Sequence, residues 1–505
     1  MRKKIPNVDF AVDEHIWGHR LYDEQLPHLT VLEFLGVLGS NVSAPLAGPA
    51  DQVRYRPQRQ FRLRCLLFNN PFVESIRERA ISDEEKWREW MDRFADDSTK
   101  LGDQDMGYLR VVFSSFDDFA KAIELLRSSA FEARSNKRWS SKFVFPFGPD
   151  ALYEDLRIDA KGGASNDRRF FARTGELLYL MLSNAARGPE LGAKLVERLF
   201  DPSKTMNRLV KAMQGDAQLV DEPRGLGPIP YDSHPRFDRM CEDWLAILSR
   251  DMPVYDALEH LIVNTGLNLL LYFLECAKTV SGDADPVEIV CEIVAQRTKV
   301  RALSGDSYQA NQALSVRAIR AEVEGVKLDP RWDAATQSGN PQGGCLDLMR
   351  EMFQWPTDGK DDEEYVNLPG DELVSRLIQK AESRHEQHIG KIHATWSKAI
   401  GLSSRRLARR NRYAPNDRLL KTLVVTIVDS RMQFDEFLGE AKKRYGIVIG
   451  DVEGARLVMD KKVDQEALSD NGRNLETRLV GLGLVRRLSD SCSFVENPFS
   501  SKGEE

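Results

Sequence analysis

The 505 residues contain no GxxxxGK[ST] phosphate loop, no GxGxxG and no GxSxG. Without a glycine-rich loop that lets backbone N–H groups cradle phosphates, the chain is not expected to be an ATPase itself. Cysteine is scarce. The six residues, at 65, 241, 276, 291, 345 and 492, include no CxxC pair and no spacing suited to tetrahedral zinc. They read as reduced thiols, and no metal or other cofactor is expected. An apolar run is also missing behind the basic start of MRKKIPNVDFAVDEHIW, so the segment lacks the centre of a secretory signal and a cytoplasmic location is expected. Nor is there an excess of positive charge. With 71 Lys and Arg against 78 Asp and Glu, the net charge is −7 and the pI near 5.8. Nucleic acid could therefore be met only through a local basic surface, not through bulk charge.

What is present is a chain with 42% hydrophobic and 30% charged residues, long enough for two to four globular domains. The most apolar stretch, LIVNTGLNLLLYFLECA from Leu261, approaches the length of a short membrane span. Asn264, Asn268 and Glu275 interrupt it, which is costly in lipid and ordinary in a helix packed on all sides, so no membrane partner is expected. Residues 1–160 read as a mixed, mostly helical domain. Residues 161–328 read as an all-helical core, in which successive amphipathic segments are punctuated by Pro, Gly or Asp/Ser caps. Residues 329–412 combine a Gly/Pro/Asp-rich linker (SGNPQGGC, PTDGKDDEE) with a long polar helix from about Asp371. The fold class expected is mainly α, a multi-domain helical body closed by a small winged-helix domain at 413–499.

The reasoning for that last domain is periodicity. Leu419, Leu420, Leu423, Val424 and Ile427 give one helix a buried stripe, and Phe434, Phe437 and Leu438 give a second one. In RLVGLGLVRRLSDSCSFVENPF, leucines at helical spacing give way to apolar/polar alternation, so a third helix hands over to a hairpin near Gly481 and Gly483. A winged helix places its third helix in the major groove and its ribbon along the backbone. That geometry nominates Arg473, Asn474, Arg478, Arg486 and Arg487, widened by Arg405, Arg406, Arg409 and Arg410 upstream. Against DNA contact stand Asp464, Glu466, Asp470 and Glu476 on or beside the same helix, and winged helices also dock proteins.

Three other clusters carry weaker signals. RYRPQRQFRLRC presents Arg54, Arg56, Arg59, Arg62 and Arg64, read as a strand with one basic face that either contacts phosphates or pairs with nearby acids. PDALYEDLRIDAKGG places Asp150, Asp159 and Lys161 in an echo of the PD-(D/E)xK nuclease pattern, whose chemistry needs two carboxylates on Mg²⁺ and a lysine beside the attacking water. Only eight residues separate the acids, and no further carboxylate completes a metal shell. SRHEQHIGKIH gathers His385, His388 and His393, but it is one residue short of HExxH, so a solvated polar helix face is expected.

The runs RYAPNDRLLKTLVV, MQFDEFLGEAKKRYGIVIGD and GLGLVRRLSDSCSFVENPF resemble the tail of bacterial proteins from multi-gene anti-phage defence clusters, which often sit beside translocase-type ATPases. The resemblance covers roughly the last fifth of the chain and brings no catalytic motif. It implies a non-enzymatic DNA-binding or scaffolding subunit of a multi-protein complex, with protein partners that could include such an ATPase. A Mg²⁺-dependent nuclease and a purely protein-binding adaptor are the alternatives.

Overall fold

The computed structural model describes residues 11–18, 21–47, 52–56, 63, 66–67, 70–98, 106–128, 148–151, 156–158, 164–166, 172–215, 223–293, 298–356, 362–406, 410–489 and 492–500. They are mainly helical, as the periodicities require. The chain divides into two units. One comprises Met1–Pro27, Asn184–Arg187 and Gly227–Glu505, the other His28–Ser183 and Gly188–Leu226.

In the larger unit, α1 (Val12–Trp17) is followed by α2 (Pro235–Leu248) and α3 (Val254–Val280). Helix α2 starts where His234 accepts from the Arg236 N–H and Pro235, which has no N–H to lose, takes the first helical position. The apolar run forms the middle of α3, which packs on α1 and α2. Among the described residues, α3 is the one helix long and apolar enough to cross a membrane, and 89% of its apolar window is buried inside the protein. Its polar interruptions are satisfied there: Asn264 and Asn268 each donate to Asp243 Oδ2 of α2 at 3.0 Å. Unpaired in an apolar core, each amide would cost about 1–3 kcal/mol.

Strand β1 (Ile289–Val290) leads into α4 (Thr298–Gln312) and α5 (Leu314–Glu324). Next come α6 (Pro330–Thr336) and α7 (Pro341–Phe353), in the segment expected to be a linker. That expectation is corrected. Asp329-Pro330 and Asn340-Pro341 are helix starts, with Asp329 accepting from the Arg331 N–H and Asn340 from the Gly343 N–H, while Trp332, Leu346, Met349 and Phe353 are buried. The long polar helix also divides. Helix α8 (Gly370–Gln387) ends where His388 leaves the helical region (φ −138°, ψ −62°), and α9 (Ile392–Ala399) follows. Helix α8 packs on α5 and α9 on α3. A short antiparallel ribbon then pairs β2 (Ser403–Ser404) with β3 (Arg412–Tyr413).

The remainder is α10 (Asp417–Ile427), β4 (Arg431–Gln433), α11 (Phe434–Tyr445), β5 (Ile447–Val448), α12 (Ala455–Met459), α13 (Gln465–Gly481), β6 (Val485–Ser489) and β7 (Cys492–Glu496). Strand β7 lies between β6 and β4 in an antiparallel sheet, with Arg486 opposite Phe494 and Phe494 opposite Gln433. Strand β5 pairs in parallel with β1, Ile289 with Ile447 and Val290 with Val448.

In the smaller unit, Asp83–Ser98 and Phe116–Ser128 pack through Trp87, Trp90, Phe116 and Phe119, all buried. Ser82 and Glu85 form a reciprocal capping box at the start of the first helix. Glu33 accepts from the Arg173 and Gly175 N–H groups, at 3.1 and 2.7 Å, at the start of the helix Thr174–Ser183. The basic strand expected over 54–64 is corrected in part. Arg54–Tyr55 pairs with Arg224–Gly225, but Leu63, Leu66 and Leu67 are helical and buried, their spacing of three and four marking one helix face.

Gly446 ends α11 at φ +68°, and a Cβ there would run into the Val287 carbonyl, a backbone atom just before β1. Gly446→Ala should destabilise the protein by roughly 2 kcal/mol, from left-handed strain and overpacking together, read as a lower midpoint in urea unfolding. An unchanged midpoint would show that the β1–β5 junction is free to shift.

Candidate nucleic-acid interface

Helix α13 carries the stripe Leu468, Asn471, Leu475 and Leu479 at spacings of three and four, and all four are buried. The stripe therefore faces inward. Its polar member is the most tightly held residue of the helix. Asn471 Nδ2 donates to the Cys291 carbonyl at 2.9 Å and the Ile449 carbonyl at 3.0 Å, while its Oδ1 accepts from the Ile293 N–H at 2.8 Å. One amide thus satisfies the backbone just beyond β1 and just beyond β5, using its donor and acceptor ends together. Sequence reasoning picked the neighbouring Asn474, which is half-buried, and missed Asn471. The available signal was a lone asparagine in register with leucines.

The outer face of α13 carries the nominated arginines, and each has an acidic partner. Arg473 meets Asp470 at 2.5 Å, and Arg478 meets Asp417 at 2.7 Å while also donating to the Pro415 carbonyl. On the hairpin, Arg487 meets Glu476 of α13 at 3.0 Å, and Arg431 of β4 stacks over the Phe494 ring at 3.7 Å from its centroid. Arg486 is exposed and has no acidic partner among the described residues. Upstream, Arg405, Arg406 and Arg410 are likewise exposed and without an acidic partner there, whereas Arg409 lies outside the described residues. Arg412 is different in kind: it is buried, and its guanidinium is ion-paired with Glu292.

The other clusters do not assemble. In the smaller unit Arg54 is exposed and Arg56 half-buried, while Arg59, Arg62 and Arg64 lie outside the described residues. Asp150 pairs with Lys211 at 3.4 Å, and Asp159 and Lys161 lie outside the described residues, although Leu156–Ile158 does form a strand. Among the described residues, no group of three or more His, Cys, Asp or Glu could hold a metal ion.

The histidines require a correction. His385 and His393 are buried, not solvated. Leu373, Leu377, Ala381 and His385 form a four-residue stripe along α8 that turns the imidazole into the core. There His385 Nδ1 lies 3.3 Å from Asp13 of α1 and Nε2 lies 2.9 Å from Ser315 of α5. The order Ser, His, Asp matches that of a hydrolytic triad, but all three side chains are buried and Trp17 stacks on the imidazole. The group acts as a polar tie holding α1 to α5 and α8. His388 pairs with Asp23 at 3.0 Å. His393 Nε2 lies 2.6 Å from the Tyr413 hydroxyl, which also accepts from Asn311, and burial pushes the imidazole down to about 3. In α2, burial raises the Asp243 carboxyl, although Asn264, Asn268 and the Tyr445 hydroxyl all hydrogen-bond to it.

Residues 371–495 match the family model described as methylation-associated defense system protein MAD7. The match begins with α8 and ends in β7. No curated protein and no solved structure matches the chain.

Two measurements follow from the buried polar groups. Asn471→Leu would leave the Cys291 and Ile449 carbonyls and the Ile293 N–H unpaired, with an expected loss of roughly 3 kcal/mol in urea unfolding; a loss below about 0.5 kcal/mol would mean that water replaces the amide. His393 has a folded pKa near 3, below its unfolded value near 6.5, so the unfolded chain binds the extra proton between those values. Its linkage therefore removes stability as pH falls from about 6.5 to 3, by roughly 5 kcal/mol in all. His393→Phe should flatten that part of the stability-versus-pH curve, and a curve parallel to wild type would refute the assignment.

Proposed function

We propose that the chain is a non-enzymatic scaffolding subunit of an anti-phage defence assembly, with residues 413–499 forming a winged-helix-like docking domain. What supports the winged-helix reading is the order helix, strand, helix, strand, short helix, helix, hairpin, with β4 beside β7 in the sheet, which is the arrangement that brings the first strand of such a domain against its wing. The short α12 is an addition to that plan, as is β5, which pairs with β1 outside 413–499.

Scaffolding is favoured over groove reading by one observation: the third helix is spent on the fold. Its inner stripe is fastened through Asn471, and the arginines of its outer face already neutralise Asp470 and Asp417. For these to reach phosphate, the existing pairs must be given up, and acids left behind would repel the same backbone. The absence of the glycine-rich catalytic motifs is compatible with a subunit that holds partners together while other chains do chemistry.

Two experiments test this. Co-expression with the other products of its defence cluster, followed by native mass spectrometry, should recover a complex of defined stoichiometry; recovery of the chain alone in every combination would overturn the scaffolding role. Arg473→Gln combined with Arg478→Gln should leave duplex affinity within about twofold. A drop of tenfold or more, with a salt slope reduced by about two, would instead establish α13 as a groove-reading helix.

A further inference from the structure

Glu386 and Asp417 bound thirty residues, 387–416, that contain no acid and seven cations: Lys391, Lys398 and five arginines. In a chain whose net charge is −7, this is a concentrated reversal of sign. The five arginines fall within SSRRLARRNRY, 403–413, whose ends, Ser403–Ser404 and Arg412–Tyr413, pair as the β2–β3 ribbon.

The base of that ribbon is anchored. Tyr413 is buried and bonded to His393 and Asn311, and its carbonyl accepts from the Ser304 hydroxyl and the Glu292 N–H. Ser397 and Ser403 hydroxyls lie 2.9 Å apart, and the Ala414 N–H donates to the Leu402 carbonyl at 2.8 Å. Arg412 organises the rest: it is ion-paired with buried Glu292, which also takes Arg301, and its Nη1 donates to the Arg406 carbonyl at 3.0 Å. Glu292, a buried acid facing the ribbon, is thus occupied by Arg412 and Arg301. Arg405, Arg406 and Arg410 project from this base, exposed, with no acidic partner among the described residues.

We infer that the β2–β3 ribbon is a site for the phosphate backbone of duplex DNA, independent of α13 and of the terminal hairpin. The inference goes beyond the scaffolding role and does not depend on it. Three features support it. The charge is carried at the ribbon by arginine alone, whose planar fork suits bidentate contact with phosphate. A duplex offers one charge per ~1.7 Å of axis, a density that a surface with interspersed signs does not reach. Anchoring the base of the ribbon also means that little backbone order has to be gained there on binding, leaving mainly the arginine rotamers to be fixed. Contacts of this kind position DNA without reading its sequence.

The test is fluorescence anisotropy of the full chain with a 30-base-pair duplex of arbitrary sequence, over a series of salt concentrations. Wild type should bind, and should bind two unrelated duplexes equally. Arg405→Gln with Arg406→Gln and Arg410→Gln should weaken binding at least about tenfold and reduce the log–log salt slope by about three. Arg486→Glu with Arg487→Glu should change both much less. Matched melting temperatures would establish that the triple variant is folded, as expected for exposed side chains. The inference is overturned by wild-type binding in the triple variant, by a larger loss in the Arg486/Arg487 variant, by no duplex binding in wild type, or by equal or tighter binding to single-stranded RNA or polyglutamate of matched charge. Failure here leaves the stoichiometric complex expected of the scaffold unaffected, so the two readings fail separately.

Discussion

The arrangement of the larger unit depends on the seam where β1 meets β5 and where the Asn471 amide closes both strands beyond their ends. Two residue pairs make a very short parallel ladder, and a ladder that short is not stable alone. It persists because Val290 and Val448 are packed with Leu457, Val463, Ala467 and Leu468, and because the asparagine satisfies backbone groups that water cannot reach. The same seam orients α13. Once its inner stripe is committed to Cys291, Ile293 and Ile449, the outer face that remains is one whose arginines and acids neutralise one another.

Charge is partitioned with some consistency. Arg473 and Arg478 of α13 and Arg487 of the terminal hairpin meet acids within the same structural neighbourhood, Arg431 is absorbed by an aromatic ring, and Arg486 has no acidic partner among the described residues. Exposed pairs of this kind contribute little stability, at most about 1 kcal/mol each, but they do cancel local potential. Around the β2–β3 ribbon the buried acid Glu292 is occupied by Arg412 and Arg301, and the exposed arginines beyond it keep their field. The sign of the surface is therefore set by which arginines find an acid within reach, not by how many arginines a segment holds.

Polar groups inside the helical body serve a related purpose. Asp13 with His385 and Ser315, Asp243 with Asn264, Asn268 and Tyr445, and His393 with Tyr413 each connect helices distant in sequence. Burying such groups costs desolvation, visible in the raised Asp243 carboxyl and the lowered His393 imidazole. In return their geometry admits few alternative helix registers, because a shifted helix would strand a polar atom in the core.

Local pattern alone determined the helical character of the chain, the buried nature of the run at Leu261, the helix start at Asn416, and the hairpin after Gly483. All of these rest on periodicity or cap chemistry that operates within a few residues. Tertiary structure decided the rest. Proline and glycine between 329 and 345 could mark a linker or two helix starts, and only the burial of Trp332 and Met349 distinguishes them. His385 and His393 belong to a polar-looking segment, yet they sit inside because Asp13, Ser315 and Tyr413 arrive from elsewhere to pair with them. The arginines of the candidate interface were legible as residues but not as charges, since Asp417 lies sixty-one positions from Arg478 and Glu292 one hundred and twenty from Arg412. An ion pair between such distant positions leaves no periodic trace in a sequence, so which cations stay exposed is settled only when the chain has folded.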